Sequence, residues 1–333
     1  MATTTSITTT YAGEAAGQYI AAALLEANTI SQGGITVKPN VKFKEVIKKV
    51  SVDDIVKDAT CDFDPTSTIT LTEAILEPED QQVNLQLCKK DFQSDWEAVQ
   101  MGYSSFDSLP PSFADFIIGH IAAKVAERTE KSIWEGATST NGQFDGLTTK
   151  IAADAGLPAA QEIAAVSGGV TSANVIAELG KIVDAIPSTL YGSPDLFLYV
   201  SQNIARAYVR SLGGFASITQ QNVAADENVG IAGVGGNGIN SQGTMWYNGG
   251  GLSFDGVKMF VANGLGDNKV VACEKSNIFF GTGLLADHNE VKLLDMADLD
   301  GSQNARLVMR FSAGVQYAQI GDITTYGITN SAN

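Results

Sequence analysis

Two histidines and three cysteines in 333 residues leave this chain few side chains for chemistry. His120 and His288 are too few for a histidine-built metal site and narrow the choice of a general base. Cys61, Cys88 and Cys273 are odd in number and share no C-x-x-C spacing, which argues against a disulfide framework or a zinc knuckle. They read as free thiols of a reducing compartment, although Cys61 and Cys88 flank a strand-rich segment and could approach each other. Basic residues are also scarce, 21 Lys and Arg against 37 Asp and Glu, for a formal net charge of −16. An acidic surface of this kind repels phosphate, which argues against a dedicated binder of nucleic acid or of an anionic membrane. No basic stripe with interleaved aromatics offers a local exception, and Ser211 to Val257 contains no Lys or Arg at all. The first ten residues lack a basic n-region, and the apolar run Tyr19–Leu25 stops at Glu26, so neither a signal peptide nor a membrane span is read.

Catalytic strings are missing too. G-x-S-x-G, the Walker A motif and H-E-x-x-H do not occur. Gly233, Gly235 and Gly238 satisfy G-x-G-x-x-G, but Ile239–Gly243 opens no helix, so the motif reads as part of a glycine-rich surface loop. His288, in Asp287–Glu290, has no second ligand pair at metal-binding spacing, and His120 lies near an apolar helix stripe as a packed or interface imidazole. Asp295, Asp298 and Asp300-Gly301 lack the register and terminal Glu of a calcium loop. No catalytic, cofactor-binding or metal-ligating residue is therefore assigned, and no cofactor is expected.

What is present is a pattern of elements. With 44% hydrophobic residues the chain is globular, with one to three domains. Phe43–Val52 and then Ile69–Leu76 with Val83–Cys88, interrupted at Glu77–Asp80, read as an extended hairpin between Phe43 and Asp91. Twenty residues of strand would reach roughly 65 Å. A two-stranded hairpin is marginal alone in water, so its support is expected from another copy of the chain. Ahead of it lie a Thr-rich arm, a helix candidate at Glu14–Ala27 and a turn at Gly33-Gly34. Asp91–Gln100 looks helical. Leu109-Pro110-Pro111 then leads into a long helix, Ser112–Glu135, capped by Ser112 with Asp115 and stopped at Gly136. Phe113, Phe116, Ile117, Ile121, Val125 and Ile133 form its apolar stripe, with Lys124, Glu127, Glu130 and Lys131 on the other face.

After a linker, Ala137–Gly146, weak helix or loop runs to Gly169. A helix follows at Thr171–Ile186, then a strand at Leu196–Val200 and a helix at Asn203–Leu212. Ten of the 34 glycines fall between Gly230 and Gly256, which predicts a long loop or bent strands there. Strands are predicted at Val257–Ala262, Lys269–Cys273, Asn277–Phe280, Val291–Met296, Ala305–Gln319 and Ile323–Gly327. Helices and strands mix without a steady βαβ alternation, so the fold class is α+β.

The order of these elements resembles the major capsid proteins of tailed bacteriophages, the HK97-like fold. Ile69–Pro78 leading to Val83–Phe92 and Trp96-Glu97 is similar to the family's passage from its extended loop into its peripheral domain. Phe113–Gly136 resembles its spine helix and exit, and Asn277–Gly283 and Arg310–Gln316 resemble its late strands. The resemblance implies an N-terminal arm (1–40), an extended loop (41–80), a peripheral domain (81–169 and 291–333, with the spine helix at 112–135) and an axial domain (170–290). It also implies a structural protein, not an enzyme, that assembles with itself as hexamers and pentamers into an icosahedral virion shell. That shell would form in the host bacterial cytoplasm and enclose double-stranded DNA without reading its sequence. A portal, decoration proteins and a separate scaffolding protein are the further partners expected, since little chain precedes Tyr11; no membrane is involved. Two alternatives stay open: an encapsulin-type nanocompartment, and an acidic cytoplasmic α+β enzyme with an unidentified carboxylate site.

Overall fold

The computed structural model describes residues 28–41, 43–52, 56–59, 61, 65, 68–88, 111–212, 252–283, 292–296 and 301–330. The helix candidates at Glu14–Ala27 and Asp91–Gln100, the glycine-rich stretch around Gly233–Gly238, and His288, Asp298 and Asp300 lie outside the described residues. In chain order the elements are α1 (Asn28–Ser31), β1 (Thr36–Lys38), β2 (Glu45–Val52), β3 (Ile69–Leu76), β4 (Glu79–Cys88), α2 (Pro111–Glu135) and α3 (Leu147–Ala153). Next come β5 (Glu162–Ile163), α4 (Val175–Asp184), β6 (Leu196–Val200), α5 (Gln202–Leu212), β7 (Ser253–Phe254), β8 (Val257–Val261) and β9 (Val270–Glu274). The last four are β10 (Ile278–Thr282), β11 (Lys292–Asp295), β12 (Asn304–Tyr317) and β13 (Thr324–Tyr326). The class is α+β.

Two sheets organise the body. The first is built on β12, whose 14 residues pair antiparallel with β4 along one edge from Asn304 to Ala313. Along the other edge β11 and β10 follow each other, and β1 adds to β10 in parallel. The second sheet has the order β5-β13-β9-β6-β8-β7. Its strands are apolar on both sides because both faces are covered. Leu196, Leu198 and Val200 of β6 meet the stripe Val175, Leu179, Ile182 and Val183 of α4 and Ile204 and Tyr208 of α5. Tyr199, on the opposite face, enters a different core.

That second core joins the two sheets through the C-terminal end of α2. Ile133 and Trp134 are fully buried there, among Phe280, Val315 and Tyr317 of the first sheet and Tyr199, Val271 and Cys273 of the second. Trp134 and Tyr199 stack tilted at 5.2 Å between ring centroids. The helix ends as the sequence predicts, and the reason is steric. A Cβ at Gly136 would stand 2.1 Å from the Phe144 carbonyl oxygen, so only glycine lets the chain double back. The Gly146 N–H then donates to the Gly136 carbonyl at 2.9 Å. Thr148 and Thr149 hydroxyls donate to the terminal carbonyls of Trp134 and Gly136.

Three expectations are corrected. The hairpin does not run on to Asp91: β4 begins at Glu79, within the expected break, and pairs with β12 instead of with β2. Pro78 ends one ladder and the chain enters another sheet. The paired arm is therefore eight residues long, about 26 Å rather than roughly 65 Å. Ser112 is not the residue before the helix; Pro111 already occupies a helical position, which suits its fixed φ and missing N–H. Glu130, expected on the solvated face of α2, is 1% exposed. It lies three and four residues before Ile133 and Trp134, on the face that the core wraps. Sheet membership also cuts across sequence blocks, for β10 sits with β12, while β13 sits with β9 and β5.

Candidate functional site

The β2–β3 hairpin is a two-stranded sheet of its own. Its register runs without a bulge from Glu45 opposite Leu76 to Val52 opposite Ile69. Residues directly opposite share a face, and faces alternate along each strand. One face carries Ile47 with Ala74 and Glu45 with Leu76 at the base, then Lys49 with Thr72. Ile47, Ala74 and Leu76 are buried with Val41 against Phe279 and Ala318, which ties the arm to the body. Lys44 pairs with Glu77 at 2.9 Å, and Lys38 pairs with Glu45, both partly exposed and worth no more than about 1 kcal/mol each.

The opposite face carries Val46 with Ile75, Lys48 with Glu73 and Val50 with Leu71, and Ile69 follows. Val46, Val50, Ile69, Leu71 and Ile75 are all exposed. Of the eleven large hydrophobic side chains that stand exposed among the described residues, seven lie between Phe43 and Ile75. An apolar strip of this kind on a two-stranded sheet marks an interaction surface, since no described part of its own chain covers it.

The base of the arm rests on a flattened spot. Gly281 and Gly314 are register partners on β10 and β12. A Cβ at Gly281 would come within 2.8 Å of the Leu76 side chain, and one at Gly314 within 2.8 Å of the Glu77 carbonyl oxygen and 2.9 Å of the Pro78 Cα. The paired glycines let β3 and the Glu77-Pro78 step cross the sheet at backbone distance.

A polar cluster that the sequence reading missed holds the chain just before β1. The Glu130 carboxylate accepts from the Thr29 N–H at 3.1 Å and from the Thr29 hydroxyl, while Trp134 Nε1 donates to that hydroxyl oxygen at 2.9 Å. Burial pushes the Glu130 carboxyl above its ordinary range, against bonds from Thr29, Gly264 and Trp134 that favour the charged form. The spacing of Glu130 three residues before Ile133, a member of the apolar stripe, was the one trace of it in the sequence. Nearby, the Tyr199 hydroxyl donates to the Gly34 carbonyl at 2.6 Å.

The other residues considered do not converge. His120 sits half-buried on α2, and among the described residues no group of three or more His, Cys, Asp or Glu is placed to hold a metal ion. Cys61 is exposed, Cys88 half-buried and Cys273 buried; all three are free, and burial pushes the Cys273 thiol well up. A groove of about 720 Å³ beside β4 is lined by residues such as Gln82, Thr138, Asn141 and Arg310, and no histidine or cysteine is among its described lining residues. Among the described residues no helix is long and apolar enough to cross a membrane.

No protein-family model and no curated protein matches the sequence. Solved structures do match, over nearly the whole chain. The capsid of a native GTA particle superposes with a TM-score of 0.60 at 12% identity, covering 93% of this chain and 93% of its own. The capsid protein of cyanophage P-SCSP1u gives 0.56 at 13% identity over 97% and 93%, and that of Myoviridae phage XM1 gives 0.57 at 10% over 93% and 94%. The fold is the HK97-like capsid fold. α2 is the longest helix among the described residues, and the two-sheet body carries the β2–β3 hairpin.

Proposed function

We propose that this chain is the major capsid protein of a tailed bacteriophage, which self-assembles as hexamers and pentamers into the icosahedral head that encloses double-stranded DNA. The observation that carries the reading is the hairpin, whose base is anchored in its own chain while its distal apolar face is left uncovered. A neighbouring copy supplies that cover, so assembly and arm burial are one event. The role is structural rather than catalytic. The match to phage and GTA capsids along the whole chain supports a head shell over an encapsulin-type compartment. In this reading residues 1–40 form the N-terminal arm and 41–80 the extended loop. Residues 81–169 and 291–333 form the peripheral domain, and 170–290 the axial domain. The particle is assembled in the bacterial cytoplasm, where scaffolding, portal and decoration proteins are its further partners. Size exclusion and negative-stain microscopy of the purified chain test the proposal: closed shells or capsomers are expected, and a chain that stays monomeric at all concentrations refutes it.

A further inference from the structure

Four asparagine-glycine steps occur in the chain, at Asn141, Asn237, Asn248 and Asn263. Two of them, Asn141-Gly142 and Asn263-Gly264, lie among the described residues, and the fold treats them in opposite ways. Such a step matters because an asparagine can cyclise on its own backbone. The nitrogen of the next residue attacks the side-chain carbonyl carbon, and a glycine, with no Cβ, leaves that nitrogen most open to approach. Like any intramolecular reaction, it goes only where the two atoms can be brought together.

At Asn263-Gly264 they cannot be. The Asn263 side-chain oxygen accepts from Gln202 Nε2 at 2.8 Å, and the Asn263 N–H donates to Asn28 Oδ1 at 3.2 Å. The Gly264 N–H is held by the Glu130 carboxylate. Gly264 is buried, and a Cβ there would stand 2.2 Å from the Glu130 carbonyl oxygen, so backbone packs on backbone and the peptide has no room to turn. Asn141-Gly142 has none of these restraints. It lies in the linker that leaves α2, and both residues are exposed. A Cβ on Gly142 would meet only the Gln81 side chain, at 3.8 Å, and its φ of +73° is one that glycine adopts without strain. Arg128 Nη2 donates to the Asn141 carbonyl oxygen at 3.4 Å, while among the described residues the Asn141 side chain and the Gly142 N–H have no hydrogen-bond partner.

We propose that Asn141 is a self-modification site, at which the fold permits the loss of ammonia that it forbids at Asn263. The Gly142 nitrogen bonds to Asn141 Cγ and the Cγ–Nδ2 bond breaks. The proton lost from the Gly142 nitrogen passes through water to the departing amine, which leaves as ammonia. Water then opens the succinimide ring at either of its carbonyls, giving aspartate or isoaspartate. No electrons are transferred, so water is the only co-reactant. The product sets a new carboxylate in the groove beside β4, which Glu79 and Asp80 already line, and adds one negative charge to each copy. Isoaspartate also lengthens the main chain by a methylene. Bonds from the Thr138 N–H to Asp145 at 2.8 Å and from the Gly146 N–H to the Gly136 carbonyl at 2.9 Å confine that change to the linker, so the core stays as it is. The step does not depend on the assembly reading above.

Peptide mapping by mass spectrometry of the full chain, aged in neutral buffer, reads both sites in one sample. Asn141 should convert at least about tenfold faster than Asn263 in the folded chain. In guanidinium, where the fold is gone, the two steps should convert at nearly equal rates. Conversion at Asn141 should speed up as pH rises, because the attacking nitrogen must lose its proton. Asn141→Gln, whose longer side chain disfavours ring closure, should stay unmodified at that position and keep the wild-type melting temperature. A folded chain in which Asn141 converts no faster than Asn263 overturns the proposal. So does a rate difference that persists undiminished in guanidinium, which would trace it to the flanking residues and not to the fold.

Discussion

Truncating Val50 and Leu71 to alanine should separate assembly from folding. The two residues face each other across the hairpin, with Leu71 73% and Val50 55% exposed. Leu→Ala removes about three carbon groups and Val→Ala about two, at about 0.8 kcal/mol each when fully buried. Weighted by the exposed fractions, burial of this pair by a neighbour contributes about 2.5 kcal/mol per arm, while the part already buried at home contributes about 1.4 kcal/mol. Each copy offers one arm, so the assembly threshold should rise about 60-fold. The unassembled chain should lose only a few degrees of melting temperature. Light scattering against protein concentration, with calorimetry of the unassembled chain, reads both. A lowered melting temperature with an unchanged threshold would refute the reasoning, because the pair would then matter only within its own chain.

Removing Val52–Ile69 and joining Ser51 to Thr70 through a two-residue Asn-Gly turn keeps the anchored base and discards the distal arm; the body should stay folded and form no closed shells, and outright unfolding seen by circular dichroism would make the hairpin part of the core. Gly314→Ala pushes a methyl into the Glu77 carbonyl and Pro78 backbone, so it should cost about 1–3 kcal/mol in denaturant unfolding and misdirect the arm, whereas regular shells of wild-type stability would contradict the steric argument. Because burial raises the folded-state value of Glu130, its contribution to stability is full below the ordinary carboxylate range and is lost as pH rises through the raised value. Glu130→Gln should therefore flatten the fall in stability that begins near about pH 4.3, and an identical slope in both proteins would show that this group does not titrate in the folded state.

The long helix was legible because its signals are local: the apolar period, the prolines before it and Gly136 after it all act within a few residues. The strands of β6, β8 and β12 were found for the same reason, β6 at its expected bounds and β8 and β12 with ends off by a residue or two. Pairing was not legible. The partner of β4 lies more than 200 residues away, and Val83–Cys88 alternates equally well for a hairpin or for the edge of a sheet. Only the register on β12 distinguishes them. Glu130 was placed on the wrong face because a charge at helical spacing reads as solvated unless the partner is known. Here that partner is Thr29, a hundred residues upstream. The exposed strip on the arm was foreseen as a shortage of cover, but which face lacked it depended on the pairing of Val50 with Leu71 and Val46 with Ile75.

The central claim is that the hairpin's apolar face is completed by another copy of the chain. Electron cryomicroscopy of the assembled particle tests it most directly. The account predicts a closed shell in which Val46, Val50, Ile69, Leu71 and Ile75 of each arm lie buried against a neighbouring subunit. A closed shell with that strip still facing solvent, or an arm folded back onto its own body, would contradict it.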